Sequence, residues 1–375
     1  MRFSNITGYT SIKRALIKMV LSKEIPHGLL FLGEEGYEHY SLARALVAFL
    51  NCKNPKEDDS CGQCASCRKI DKLIHPDLHL IFPITSSHKT VEKPKCKDFL
   101  PQWREFLQKN PYPFLMEWLS FIDAENKQGN ISREESRDII YSMSFKAYEA
   151  EYKVQILWHP ELLNPTAGNA LLKLLEEPPE KTVFIWVTES TDSMLPTLVS
   201  RLHIVKFPPL TQEESNGFLL KEGVVDLEKR QRLVLLSDGN PGRALSFLEE
   251  NKNDQFVFFR DWLRAGYAKN FKKIFELTDD FAKMGREFQK STLLYGMKII
   301  RESFLATAGV PQLSRVGGEE QNFAEKFSVY ISYNKLEKFT QLLETAAFHI
   351  ERNAHPKILF TDVSLCFMEI LGKKS

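Results

Sequence analysis

The sequence predicts an α/β fold, a parallel doubly wound sheet, in its first half and helices alone in its second. Short apolar runs at 29–32, 78–82, 154–158, 182–187 and 203–207 alternate with stretches of helical periodicity, and strands that alternate with helices build parallel sheets. After Pro208-Pro209 the strand signal stops and apolar residues recur only at helical spacing. A chain of 375 residues, at ~150 residues per domain, holds two or three domains.

In chain order, Ile25-Pro26-His27-Gly28 leads into Leu29-Leu30-Phe31-Leu32, a buried parallel strand that Gly33 closes into a turn. Residues 40–50 form an amphipathic helix, with Leu42, Ala45, Leu46 and Phe49 on one side. The second strand, 78–82, ends at Pro83. Residues 84–130 carry Pro94, Pro101, Pro111 and Pro113 among Trp103, Phe106, Tyr112, Phe114 and Trp118, and read as an irregular insertion, a partner surface or a private subdomain. Ser132 caps a helix that runs through Tyr141, with Glu135 as the other half of a capping box. The third strand is 154–158. Asn164-Pro165 starts a helix that presents Leu171, Leu172, Leu174 and Leu175 and stops at Pro178-Pro179.

The fourth and fifth strands follow, and Pro208-Pro209 ends the sheet region because neither proline can donate to a ladder. Thr211 and Glu214 make a capping box, and a second helix at 227–236 precedes Asp238-Gly239-Asn240-Pro241-Gly242. Toward the C-terminus Leu336, Phe339, Leu342, Leu343 and Ala346 keep helical spacing. The expected organisation is therefore an α/β domain over 1–207, a small helical domain over 208–250 and a helical domain over 251–375.

Composition narrows the function. Fifty Lys+Arg against 49 Asp+Glu leave a formal charge of +1, which opposes wrapping of nucleic acid by bulk electrostatics. No apolar h-region follows Arg2, and no apolar run reaches the ~18 residues of a membrane span. Four of the six cysteines lie between Cys52 and Cys67, with Cys96 and Cys366 alone, a usage expected of a reducing, cytoplasmic compartment.

Cys52-x8-Cys61-x2-Cys64-x2-Cys67 is the most specific motif. Four thiolates suit a tetrahedral, structural Zn2+ and leave no open position for a catalytic water. His75 and His79 are the nearest competing ligands, and His79 sits mid-strand.

Gly33-Glu34-Glu35-Gly36-Tyr37-Glu38-His39-Tyr40 occupies the strand-to-helix turn where a phosphate loop G-x-x-x-x-G-K-[ST] would stand. In that register Glu38 replaces the second glycine, His39 the lysine and Tyr40 the magnesium-binding hydroxyl. A phosphate cradle needs open N–H groups and a cation, whereas Glu34, Glu35 and Glu38 repel an anion. The third strand runs into Trp158-His159-Pro160-Glu161, without the acid at the strand end that would hold magnesium. Either a nucleotide site has decayed here or this domain never had one; the two segments alone leave both open.

Asn169-Ala170-Leu171-Leu172-Lys173-Leu174-Leu175-Glu176-Glu177-Pro178-Pro179, the strand after it, and Leu195-Pro196-Thr197-Leu198-Val199-Ser200-Arg201 together resemble the delta-prime family of bacterial clamp loader subunits, a part of DNA polymerase III. The four-cysteine spacing is also similar to the zinc module of that family. The likeness covers roughly residues 5–250. It implies an AAA+-type domain with a zinc module, a helical lid and an all-α C-terminal collar. It further implies a subunit that hydrolyses no ATP but helps load a sliding clamp onto primer-template DNA, beside the ATPase subunits and delta.

The resemblance assigns Ser200 and Arg201 to a Ser-Arg-Cys motif, with Arg201 as an arginine finger for a neighbour's site and Leu202 in place of the cysteine. By position alone Arg201 is a surface arginine at a strand start. Thr188 falls where the family keeps a polar sensor, and Arg243 where active relatives contact nucleotide; a strand end and a packing or interface role are the plainer readings of these two. No nucleotide-binding residue is expected in the degenerate loop of Gly33, Gly36 and His39. Two other functions compete: an active ATPase with a divergent phosphate loop, told apart by nucleotide affinity of the isolated chain, and a zinc-module DNA-binding protein, told apart by salt-sensitive DNA binding.

Overall fold

Five strands, β1 (Gly28–Leu32), β2 (Leu78–Ile81), β3 (Lys153–Trp158), β4 (Thr182–Thr188) and β5 (His203–Lys206), form one sheet in the order β2-β3-β4-β1-β5, every pair parallel. β3 and β4 are buried along their whole length, so both faces are covered, and this is why they read as continuous apolar runs. The computed structural model describes residues 1–85, 94–124, 129–249, 253–284, 286–310, 316, 318–352 and 354–372. These divide into two compact units, Met1–Leu245 and Ser246–Ser375.

The helices of the first unit are α1 (Thr10–Leu21), α2 (His39–Leu50), α3 (Ala65–Asp71), α4 (Cys96–Lys109), α5 (Leu115–Phe121), α6 (Arg133–Met143), α7 (Pro165–Glu176), α8 (Pro196–Val199), α9 (Gln212–Lys221), α10 (Leu227–Ser237) and the start of α11 (Pro241–Glu249). Every residue of α2 is buried. An amphipathic stripe was expected there, but the polar residues also find partners inside: Arg44 Nη2 donates to Asp71 O at 3.1 Å and Ser41 Oγ to Pro111 O at 3.2 Å. The N-cap of α7 is as the sequence predicts, Asn164 Oδ1 accepting from Thr166 N at 3.0 Å. In α9 the capping box is complete, through Thr211 Oγ1 and Glu214 Oε2.

Two expectations are corrected. Ser132 caps α6, accepting from Glu135 N at 3.2 Å, but the Glu135 carboxylate does not return to Ser132; it accepts from Cys96 N at 2.9 Å. A longer-range donor at the start of α4 wins over the local one. The stretch 84–130 is also more regular than its prolines suggest, since α4 and α5 lie within it; parts of it, 86–93 and 125–128, fall outside the described residues. Pro101 is the sixth residue of α4, where it forfeits the bond that an N–H there would give to Lys97 O. Three aromatics of the stretch belong to the core: Trp103, Phe106 and Trp118 are wholly buried. Trp103 stacks on Phe82 at 4.5 Å and meets Trp118 at 4.8 Å and Trp158 at 5.0 Å.

The second unit holds the rest of α11 with α12 (Asn253–Tyr267), α13 (Phe271–Lys283), α14 (Arg286–Thr307), α15 (Gly318–Phe327), α16 (Tyr333–Glu351) and α17 (Pro356–Gly372). Phe259, Trp262, Phe281, Phe339, Phe360 and Phe367 make its core. The Trp262 indole N–H, which cannot stay unpaired there, donates to Ser364 Oγ at 2.9 Å.

Candidate functional site

The turn after β1 is closed by its own chain. Gly33 N donates to Thr188 O at 3.0 Å, extending the ladder past the strand. Glu38, with an ordinary negative φ of −81°, does not reproduce a glycine turn; its carboxylate is buried and accepts from Thr7 N at 3.2 Å. Burial pushes the Glu38 carboxyl up to about 7. His39 is buried, its Nδ1 3.1 Å from Tyr37 O, and burial, with His159 nearby, pulls it down to about 4. The residue at the lysine position is thus neutral. Tyr40 turns into the core and accepts from Trp103 Nε1 at 3.2 Å, so it offers no hydroxyl for magnesium.

Two segments fill the space over the loop. Asn240 Nδ2 donates to Glu35 O at 2.8 Å and Gly242 N to Gly36 O at 2.9 Å. Leu115 N donates to Glu35 Oε1 at 2.8 Å. Gly36 has φ +83°, and a Cβ there would lie 2.5 Å from Asn240 Oδ1 and 2.6 Å from Phe114 Cζ; glycine is required by both conformation and space. Arg243, which the sequence reads as a packing or interface residue, pairs with Glu34 at 3.2 Å.

The end of β3 carries a buried charge cluster in place of a magnesium acid. His159 lies 2.6 Å from Glu161 through Nδ1 and 2.9 Å from Glu35 through Nε2. Burial alone would lower its pKa, but Glu161 and Glu35 outweigh that and hold it up to about 10. Thr188 Oγ1 lies 2.6 Å from Glu161 Oε2 and 2.7 Å from Ser190 O. Thr188 is therefore joined, through Glu161 and His159, to Glu35 of the loop. Sequence reading took Glu35 only as a repelling charge and missed Asn240, whose partner is 205 residues away.

The cysteine centre assembles as its spacing predicts. One sulfur from each of Cys52, Cys61, Cys64 and Cys67 lies within 4.8 Å of the others, with Cys61 and Cys67 Sγ 3.9 Å apart. A tetrahedral zinc with ~2.3 Å bonds to sulfur sets its ligands roughly 3.8 Å apart, so the donor set fits such an ion. Backbone amides already point at the sulfurs: Cys61 N to Cys52 at 3.2 Å, Cys64 N to Cys61 at 3.3 Å and Cys67 N to Cys64 at 3.4 Å. The amides of Gln63 and Cys64 bring the Cys61 thiol down to about 6, while burial pushes Cys67 up. Gly62 makes the turn at φ +70°. Neither histidine joins the four cysteines; His75 Nε2 instead faces Glu149 at 3.3 Å.

Arg201 follows α8, one residue past Ser200, which caps that helix. Its side chain is about one-third exposed and pairs with Glu176 at the end of α7. Leu202 is buried against β1, so closely that a Cβ on Gly28 would lie 2.5 Å from Leu202 Cδ2. The structure thus places Ser200 and Arg201 beside the end of α7, and brings Gly33, Gly36, His39, Thr188 and Arg243 together.

The profile of the family described as "DNA polymerase III, delta subunit" matches residues 8–211. The tau subunit of DNA polymerase III from Bacillus subtilis (strain 168) is 27% identical over 256 residues, 66% of this chain and 37% of that one. The delta' subunit from Escherichia coli (strain K12) is 25% identical over 223 residues, 60% of this chain and 54% of that one. The chain thus spans about a third to just over half the length of these two relatives. Among solved structures, a gamma subunit-related protein of DNA polymerase III from Thermotoga maritima is 15% identical, with 96% of this chain and 99% of that one covered at a TM-score of 0.42.

Proposed function

We propose, for a chain that belongs to the DNA polymerase III delta subunit family, the part of a clamp loader subunit that is inert toward nucleotide and acts on its neighbours. It hydrolyses no ATP, completes the ATP site of an adjoining ATPase subunit through Arg201, and so helps place a sliding clamp on primer-template DNA. Residues 208–250 serve as a lid. Residues 251–375 form the collar through which it joins the ATPase subunits and delta. It works in the cytoplasm; among the described residues, no helix is long and apolar enough to cross a membrane.

The observation that carries this reading is the closed loop, where Glu38, His39 and Tyr40 all turn inward and Asn240 and Gly242 bond across it. A triphosphate there would meet a neutral imidazole and several carboxylates. Arg201 is suited to the trans role because phosphoryl transfer gathers charge on the γ-phosphate oxygens, and a guanidinium from outside the site offsets it by ~10³–10⁵ in rate in GTPases. Four thiolates on one Zn2+ fold the 52–67 segment and supply no catalytic position.

The test is the DNA-stimulated ATPase rate of the reconstituted complex with and without this chain, beside nucleotide binding to the chain alone. Stimulation by a chain that binds no ATP is expected. Arg201→Ala should fold and assemble while cutting hydrolysis at the adjoining site at least tenfold. Unchanged turnover removes the finger, and tight binding with turnover by the chain alone makes it an active ATPase instead.

A further inference from the structure

Arg201 is tied down within its own chain. Its Nε donates to Glu176 Oε1 at 2.9 Å and its Nη2 donates to the same oxygen. Its Nη1 donates to Thr197 O at 2.6 Å and to Ser200 Oγ at 3.4 Å. A guanidinium has five N–H groups. With Nε–H, one Nη2–H and both Nη1–H groups so used, one is left, and a phosphate is gripped by arginine through two parallel N–H···O bonds.

Glu176 is also out of place for a helix former. It is the last residue of α7, where a carboxylate opposes the helix dipole, and its side chain is about half exposed. Local helix energetics give no reason for an acid there, whereas the arginine does. Glu177 caps the helix through its N–H to Lys173 O, and Pro178-Pro179 fixes the chain beyond, so the carboxylate is held at the end of a rigid element.

Resting on the proposed role of Arg201, we propose that Glu176 is a latch: an in-chain competitor that parks the guanidinium on its own subunit until a neighbour's phosphate displaces it. Both partners are partly open to water, so the pair is weak and gives way to an anion of higher charge. Ser200 and Thr197 take the remaining amino group, so the parked side chain has one position and not many.

The experiment uses the complex reconstituted with the ATPase subunits of DNA polymerase III, assayed for ATP hydrolysis without DNA at low salt. Glu176→Gln should raise kcat/KM by about 1.4- to 5-fold, the range that exposed ion pairs span, and the gain should fade as salt screens the pair. Glu177→Gln, the next acid along, is the charge control and should leave the rate unchanged. Combined with Arg201→Ala, the Glu176→Gln gain should vanish. If Glu176→Gln is equal to or slower than the unaltered complex while Arg201→Ala is slow, the latch is wrong and the finger stands. If Arg201→Ala has no effect, the finger falls and the latch with it.

Discussion

His39 stands where a phosphate-binding cation would, and burial keeps it neutral, at about 4. His79, half-buried in β2, lies at about 4 too, lowered by its desolvation with Lys153 adding to the effect. Both folded values are below the unfolded ~6.5, so each histidine favours the folded state fully above that pH, and the contribution is lost as pH falls from ~6.5 toward ~4. We expect urea unfolding to show stability declining over that window, by up to ~1.4 kcal/mol per pH unit for each histidine. His39→Asn should shallow the decline, because His79 still titrates while Glu38, held up to about 7, opposes it by favouring the folded state as pH falls from ~7 toward ~4.5. A slope unchanged by His39→Asn would mean that His39 takes up its proton in the folded state as readily as in the unfolded one. His159 has the opposite sign: held up to about 10, its contribution is present below ~6.5 and lost as pH rises toward 10.

Elements divide by what made them legible. The strands and α7 were readable because apolar runs, an Asn-Pro start and a Pro-Pro stop are local signals. α4 was not, since Pro101 within it and Pro94, Pro111 and Pro113 around it argued for a loop, yet Phe99, Trp103, Phe106 and Leu107 do recur at helical spacing and are all buried. The periodicity outranked the prolines. Trp103→Ala should therefore cost ~3–5 kcal/mol, as for a large core aromatic, measured by denaturant unfolding; a loss under ~1 kcal/mol would place the indole outside the core. The cysteine segment was legible as a ligand set, because its spacing is short, but the amides that point at each sulfur depend on the folded turn. A chelator at neutral pH should release one zinc per chain, read by metal analysis, and lower Tm; Cys64→Ser should do the same. A preparation that holds no zinc and keeps its Tm on chelation would make the four cysteines plain thiols.

At the scale of the first unit, the closure of the loop after β1 is spread over several segments and was only half visible in sequence. The replaced residues of the phosphate loop could be read directly. The bonds from Asn240, Gly242 and Leu115 that shut it could not, because they join positions far apart in the chain. It follows that restoring the motif alone will not restore the site. Glu38→Gly, His39→Lys and Tyr40→Thr together should still give no ATP binding by calorimetry, and should lower stability by burying a lysine without a partner. Measurable binding by that triple variant would show that the loop residues, and not the segments over them, keep nucleotide out.

Gly28 and Leu202 share one small volume between the start of β1 and the chain just past Arg201. The missing side chain at residue 28 is thus what lets the next strand lie close, and it sets where the preceding arginine begins. A methyl group at 28 would push Leu202 aside and shift Arg201 with it. Shortening Leu202 to cysteine would make room again. Residues 28 and 202 behave as lock and spacer, and in any lineage of this chain the two are expected to change together.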